Sequence, residues 1–226
     1  MKIHIIHGWA YDISPWHEVA AHLKEHGVTA ELLQVPGLTA PSKKAWTIKE
    51  YATWADQHIP NGAFALGHSN GGRILMNLLS EKPRKLKGLI LLDSAGVYRK
   101  PTLKNRAFYI GAKALAPLKP IKPLRRLVHK FIGASDYERA PENMKKTLNN
   151  MLTSDQKLDP SSIIVPTRII WGAKDLTTPL KDGEELHRLI KGSKLHVESD
   201  WGHSPYFKHP KALAALIAKS LKDLAS

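Results

Sequence analysis

Ala65-Leu66-Gly67-His68-Ser69-Asn70-Gly71-Gly72 is the stretch from which the fold is read. An apolar run, Ala63 to Leu66, leads into Gly-x-Ser-x-Gly, and a helical pattern from Arg73 to Ser80 leads out. A serine between a strand and a helix predicts a nucleophile elbow, a sharp turn that lifts the hydroxyl above the end of a sheet. Gly67 and Gly71 flank it because side chains there would collide with the turn or with the neighbouring strand and helix. The five-residue pattern alone recurs by chance in roughly one chain in ten of this length. Its meaning therefore depends on what the rest of the chain supplies.

Outward from the elbow, apolar runs alternate with amphipathic ones. Lys2–His7, Thr29–Val35, Ala63–His68, Gly88–Leu92, Thr167–Trp171 and Lys194–Glu198 read as strands, each ending at a glycine, a proline or a polar residue. Between them lie helical patterns. Ser14-Pro15 predicts an N-cap and first helical residue, with Trp16, Val19, Ala20 and Leu23 on the apolar face. Thr47 with Glu50 predicts a capping box. Thr178-Pro179 reads as the cap of a later helix, and Pro210 to Leu224 as the closing one. This alternation predicts a parallel sheet covered by helices on both faces, with functional groups gathered beyond the carboxyl ends of the strands. It breaks between Ala95 and Pro160, where helical fragments separated by Pro117, Pro120 and Pro123 read as an insertion after the fourth strand. The expected division is a core of residues 1–96 and 160–226 with a helical insertion over 97–159.

The carboxyl-end rule narrows the search for partners of the serine. Asp175 follows a strand in Trp171-Gly172-Ala173-Lys174-Asp175, and His203 lies in the loop after the last strand, in Trp201-Gly202-His203. Asp93 also ends a strand and is the competing acid. His7 and His68, which flank motifs, are read as supports of loop geometry. No His-Glu-x-x-His or similar spacing suggests a metal, the chain has no cysteine, and no cofactor is expected.

The order Ser69, Asp175, His203, together with His7-Gly8-Trp9, the Gly67–Gly72 elbow and Gly202-His203, resembles the α/β-hydrolase superfamily, in particular its small serine esterases with a helical lid. The resemblance covers nearly the whole chain and implies roles for each residue. Ser69 is the nucleophile, His203 the base that activates it, and Asp175 the acid that orients the imidazole. The backbone N–H groups of Trp9 and Asn70 form the oxyanion hole, and residues 97–159 form the lid. Members of the family carry two strands before the His-Gly strand; this chain begins at that strand, so about six parallel strands are expected. The implied activity is hydrolysis of a carboxylic ester or thioester through an acyl-enzyme. The alternatives are a carbon–carbon bond hydrolase of diketone-like substrates and a non-catalytic ligand receptor on the same fold.

The bulk properties fit such an enzyme: 226 residues, 42% hydrophobic and 24% charged, suffice for one domain with a modest insertion. No apolar run approaches the ~18 residues that cross a bilayer. The start of the chain is too short and histidine-rich for a signal peptide, so a cytoplasmic, monomeric or dimeric protein is expected. The net charge of +14 is concentrated: Arg99 to Lys130 holds ten of the 34 basic residues and no acid, leaving 24 basic against 20 acidic residues elsewhere. That stretch reads as a solvated face, as a docking surface for an anionic or carrier-bound ester, or as a contact for an anionic membrane surface. Nucleic acid is not expected, because no recognition motif accompanies the charge. The His-Gly-Trp segment resembles that of the pimeloyl-carrier-protein methyl esterases, whose carrier is acidic.

Overall fold

A computed structural model describes residues 1–98 and 140–226. The helical fragments expected over 102–116 and 124–132, and the whole basic stretch, lie outside the described residues. A six-stranded sheet has the order β2-β1-β3-β4-β5-β6, built from β1 (Lys2–Ile6), β2 (Thr29–Leu32), β3 (Ala63–His68), β4 (Leu86–Leu92), β5 (Thr167–Gly172) and β6 (Lys194–Glu198). Every neighbouring pair is parallel. The helices are α1 (Pro15–Glu25), α2 (Ile48–His58), α3 (Asn70–Glu81), α4 (Glu142–Ser154), α5 (Leu180–Leu189), the short α6 (Pro205–Lys208) and α7 (Pro210–Ala225).

Strand side chains alternate between two cores, as the two-residue period requires. Ile3, Ile5, Leu66, Ile90, Leu92 and Ile170 pack with Trp16, Val19 and Leu23 of α1 and with Leu213, Ile217 and Leu221 of α7. Ile6, Ala65, Leu89, Leu91, Ile169 and Trp171 point to the opposite face, against α2, α3 and α5. Both faces are covered, which is why the central strands are mostly apolar.

The order of the strands decides where a site can form. From β1 the chain crosses to β2 on one side, then returns so that β3 lies on the other side of β1 and the sheet grows toward β6. The loops after β1 and β3 therefore diverge, opening a crevice at the sheet's topological switch point. Gly8-Trp9 and Ser69 stand at that crevice.

Several local expectations are corrected. Ser14 does not cap α1 with its side chain; its hydroxyl donates to Asp12 instead, over 2.7 Å. Strand β2 stops at Leu32, short of Val35, because the Val35 N–H turns away to the Thr39 hydroxyl. The Thr47–Glu50 capping box is present in full. Thr178 caps nothing: α5 begins at Leu180 with no side-chain cap.

Candidate active site

Ser69 sits between β3 and α3 with φ 52° and ψ −118°. A non-glycine residue in this region costs on the order of 1–3 kcal/mol and persists only where its surroundings enforce it. Here they do: the Ser69 N–H donates to the Leu92 carbonyl, while its own carbonyl accepts from the N–H groups of Gly72, Arg73 and Ala95. The turn also needs close backbone approach. A Cβ on Gly71 would strike the Ile6 carbonyl of β1. Placed this way, Ser69 is 7% exposed at the head of the crevice.

The strand ends bring two distant loops to it. His203 Nε2 lies 3.0 Å from Ser69 Oγ, and His203 Nδ1 lies 2.7 Å from Asp175 Oδ2. A carboxylate only accepts, so the imidazole proton sits on Nδ1 and Nε2 faces the serine hydroxyl as an acceptor. The loops that carry Asp175 and His203 are also joined directly, by the Lys174 N–H donating to the Trp201 carbonyl over 2.9 Å. Asp175 is fully engaged: Oδ1 accepts from the N–H groups of Thr177 (2.7 Å) and Thr178 (3.0 Å), and Oδ2 also from the Thr178 hydroxyl (2.7 Å). Burial acts to raise its carboxyl, but the bonds from His203 and Thr178 outweigh it and hold the group below the usual carboxylate range.

Asp93, the competing acid, is bonded elsewhere. Its Oδ1 accepts the Gly172 N–H over 2.8 Å and so ties the end of β4 to the end of β5. It is fully buried, and burial pushes its carboxyl up to about 8. Its bond joins the ends of two strands and does not reach His203.

The oxyanion candidates are adjacent. A Cβ on Gly8 would lie 2.9 Å from Ser69 Cβ and 2.8 Å from His68 Nδ1, so only glycine allows the β1 loop to lie against the serine. Among the described residues, neither the Trp9 N–H nor the Asn70 N–H, the first of α3, meets an acceptor. Two backbone donors with no acceptor among the described residues, one following Gly8 and one following Ser69, suit a developing negative charge.

Three more neighbours complete the surroundings, of which the sequence reading gave only His68 its role here, as a support of loop geometry. Thr178 looked like a helix cap, yet its hydroxyl lies between Asp175 Oδ2 and, at 3.0 Å, the Asp93 carbonyl. His68 supports the base loop: its Nε2–H donates to the His203 carbonyl over 2.7 Å, and burial pushes its ring down to about 3, so it stays neutral. Arg73, one turn into α3, is buried in a two-pronged pair with Asp155 at the end of α4, with Nε–Oδ1 2.7 Å and Nη2–Oδ2 2.8 Å. The same guanidinium donates to the Asn70 side-chain oxygen. A lone arginine on a helix face carries no sequence signal of a partner 82 residues away.

Comparison with known proteins agrees with this architecture. The chain matches the alpha/beta hydrolase family model over residues 5–216 and belongs to that family. It is 28% identical over 246 aligned residues to the pimeloyl-(acyl-carrier protein) methyl ester esterase of Neisseria meningitidis serogroup C, covering 95% of this chain and 91% of that one. The protein of the same name from Aromatoleum aromaticum is 21% identical, with 94% and 95% covered. Among solved structures, a putative lipase from Acinetobacter baumannii superposes with a TM-score of 0.72 at 20% identity, over 99% of this chain and 84% of that one. An enol-lactonase from Burkholderia xenovorans gives 0.71 at 18% identity, over 98% and 91%. At these identities the structural likeness is one of fold. None of the described helices is long and apolar enough to cross a membrane.

Proposed function

We propose that this protein is a serine hydrolase of carboxylic esters, acting through an acyl-enzyme on Ser69. The supporting observation is the unbroken chain from Ser69 Oγ to His203 Nε2 (3.0 Å) and from His203 Nδ1 to Asp175 Oδ2 (2.7 Å). Ser69 Oγ attacks the ester carbonyl as His203 Nε2 takes its proton, and the carbonyl oxygen becomes an oxyanion facing the N–H groups of Trp9 and Asn70. Asp175 holds the imidazole in the required tautomer and stabilises the imidazolium without itself taking the proton. Collapse of the tetrahedral adduct breaks the bond to the alcohol, which leaves with the proton from His203. Water, deprotonated by the same imidazole, then attacks the acyl-enzyme; the second adduct collapses to the acid and restores Ser69 Oγ–H. Each oxyanion donor supplies roughly 3 kcal/mol of transition-state stabilisation in such sites.

For the substrate, the reading is an ester borne on an acidic carrier. Two features support it: the likeness to esterases named for acyl-carrier-protein substrates and the acid-free basic stretch from Arg99 to Lys130. Residues 97–159 act in this reading as the lid that selects the substrate. The test offers one acyl methyl ester both free and attached to acyl-carrier protein, across a salt series. A carrier preference in kcat/KM that is large at low salt and shrinks as salt screens the charges supports it. Equal rates on both forms at low salt overturn the carrier assignment and leave the esterase assignment standing.

A further inference from the structure

We propose that His7 and Thr39 are positioning residues that fix the direction of the Trp9 N–H before substrate arrives. The inference rests on the esterase reading, in which that N–H meets the oxyanion. The geometry begins at a backbone donor. The Val35 N–H donates to Thr39 Oγ1 over 2.9 Å, and Thr39 Oγ1 lies 2.8 Å from His7 Nε2. At the far side of the ring, His7 Nδ1 lies 2.8 Å from the Gly8 carbonyl oxygen.

Every proton in this chain has one place to go. The Gly8 carbonyl only accepts, so His7 carries its proton on Nδ1. Burial pushes the His7 ring down, so Nε2 is a bare acceptor. Thr39 therefore donates its hydroxyl proton to Nε2 and receives the Val35 N–H on its oxygen. The consequence lies one bond further along. In a trans peptide the C=O and the following N–H point in opposite directions. Holding the Gly8 oxygen toward His7 thus turns the Trp9 N–H the other way, while Gly8 lies against Ser69.

Without the Thr39 hydroxyl, the ring loses the partner that anchors its Nε2 edge. The imidazole can then tilt, which loosens the Nδ1–H bond to the Gly8 oxygen and lets the Gly8–Trp9 peptide rotate. The loop that carries Thr39 is well anchored for the task. The Val35 carbonyl accepts from the N–H groups of Leu38, Thr39 and Ala40, and the Tyr51 hydroxyl donates to the Pro36 carbonyl over 2.7 Å. Thr39, on the loop after β2, and His7, on the loop that carries Trp9, thereby determine the aim of the Trp9 N–H.

The test compares wild type, Thr39→Val, Thr39→Ser and His7→Phe. It reads kcat per titrated Ser69, KM, and the Ki of a trifluoromethyl ketone, which forms an oxyanion on the serine. Thermal melts establish that each variant is folded. Thr39→Val should lower kcat about 10- to 100-fold at nearly constant KM, with the ketone's Ki rising in proportion, because an oxyanion donor is worth about 10²- to 10³-fold when lost outright. Thr39→Ser should recover most of the loss, and His7→Phe, which removes the donor by a separate route, should reproduce it. A Thr39→Val or His7→Phe protein that melts lower but keeps wild-type kcat and ketone affinity per active site overturns the inference while the esterase reading stands. A folded wild type that neither hydrolyses esters nor binds the ketone overturns the esterase reading and the inference with it.

Discussion

Asp93 and Asp175 end adjacent strands, β4 and β5, yet their carboxyls are held in opposite states: burial pushes Asp93 up to about 8, whereas Asp175 is held below the usual carboxylate range by His203 and Thr178. The two acids differ in what they face. Asp175 meets the imidazole of His203, whereas Asp93 meets a backbone N–H and feels the negative charge of Asp175. This contrast separates their roles experimentally. Asp175→Asn should reduce kcat by on the order of 10³- to 10⁴-fold through loss of the correct His203 tautomer. Asp93→Asn should retain most activity, since an amide oxygen still accepts the Gly172 N–H and asparagine tolerates the positive φ at this position. Steady-state kinetics on both variants check this; a larger loss at Asp93 would transfer the acid's role to it.

The same contrast sets a pH dependence of stability. The Asp93 carboxyl is raised in the folded state, so the folded protein holds its proton where the unfolded chain has released it. Its contribution is fully present below about 4, the ordinary aspartate range, and is lost as pH rises toward about 8. Asp93→Asn removes that slope. Urea titrations at pH 5 and pH 8.5 should show the variant gaining on wild type at the higher pH. A gap between the two that is independent of pH would contradict the assignment.

Thr178 bridges acid and strand end. Thr178→Val keeps the shape, removes the hydroxyl from Asp175 Oδ2, and leaves the Thr178 N–H bond to Oδ1 in place. A hydrogen bond to a charged acceptor is worth about 1.5–3 kcal/mol. A loss of kcat near tenfold, with recovery in Thr178→Ser, is expected from kinetics on the three proteins.

Arg73 and Asp155 lie almost wholly inside the protein, with side chains 4% and 10% exposed. Removing one partner leaves the other charge unpaired, at about 3–5 kcal/mol. Asp155→Ala should therefore lower stability by that amount. Arg73→Met combined with Asp155→Leu should cost much less, because no charge is then stranded. A double-mutant cycle by chemical denaturation measures the coupling, and strictly additive losses would show that the pair is not coupled.

Much of this molecule was legible in its sequence, for a physical reason. The central strands are buried on both faces, so they appear as mostly apolar runs stopped by glycine or aspartate, and those stops are where the sheet presents its candidate site residues. Ser69 and Asp175 each follow such a run, whereas His203 follows β6, an edge strand of mixed and largely exposed residues. What could not be read are contacts between residues distant in the chain whose local signal fits another role. Thr178 precedes Pro179 and a helix, which is the pattern of a cap, yet its hydroxyl serves the acid. Thr39 lies in an irregular loop, and its partner His7 carries no mark of the bond. Arg73 resembles a surface charge until Asp155 of a separate element closes over it. Ser14 shows the converse, a residue with the signature of a cap whose nearer partner, Asp12, takes it first.

The central claim, that Ser69 is a nucleophile activated by His203, is tested most directly by labelling the folded protein with a fluorophosphonate and locating the adduct by peptide mass spectrometry. A single adduct on Ser69 is expected, absent from unfolded protein and slowed by on the order of 10³-fold or more in His203→Ala, since neither residue works without the other. An unlabelled Ser69 in folded wild type, or labelling of Ser69 at an unchanged rate in His203→Ala, would contradict it.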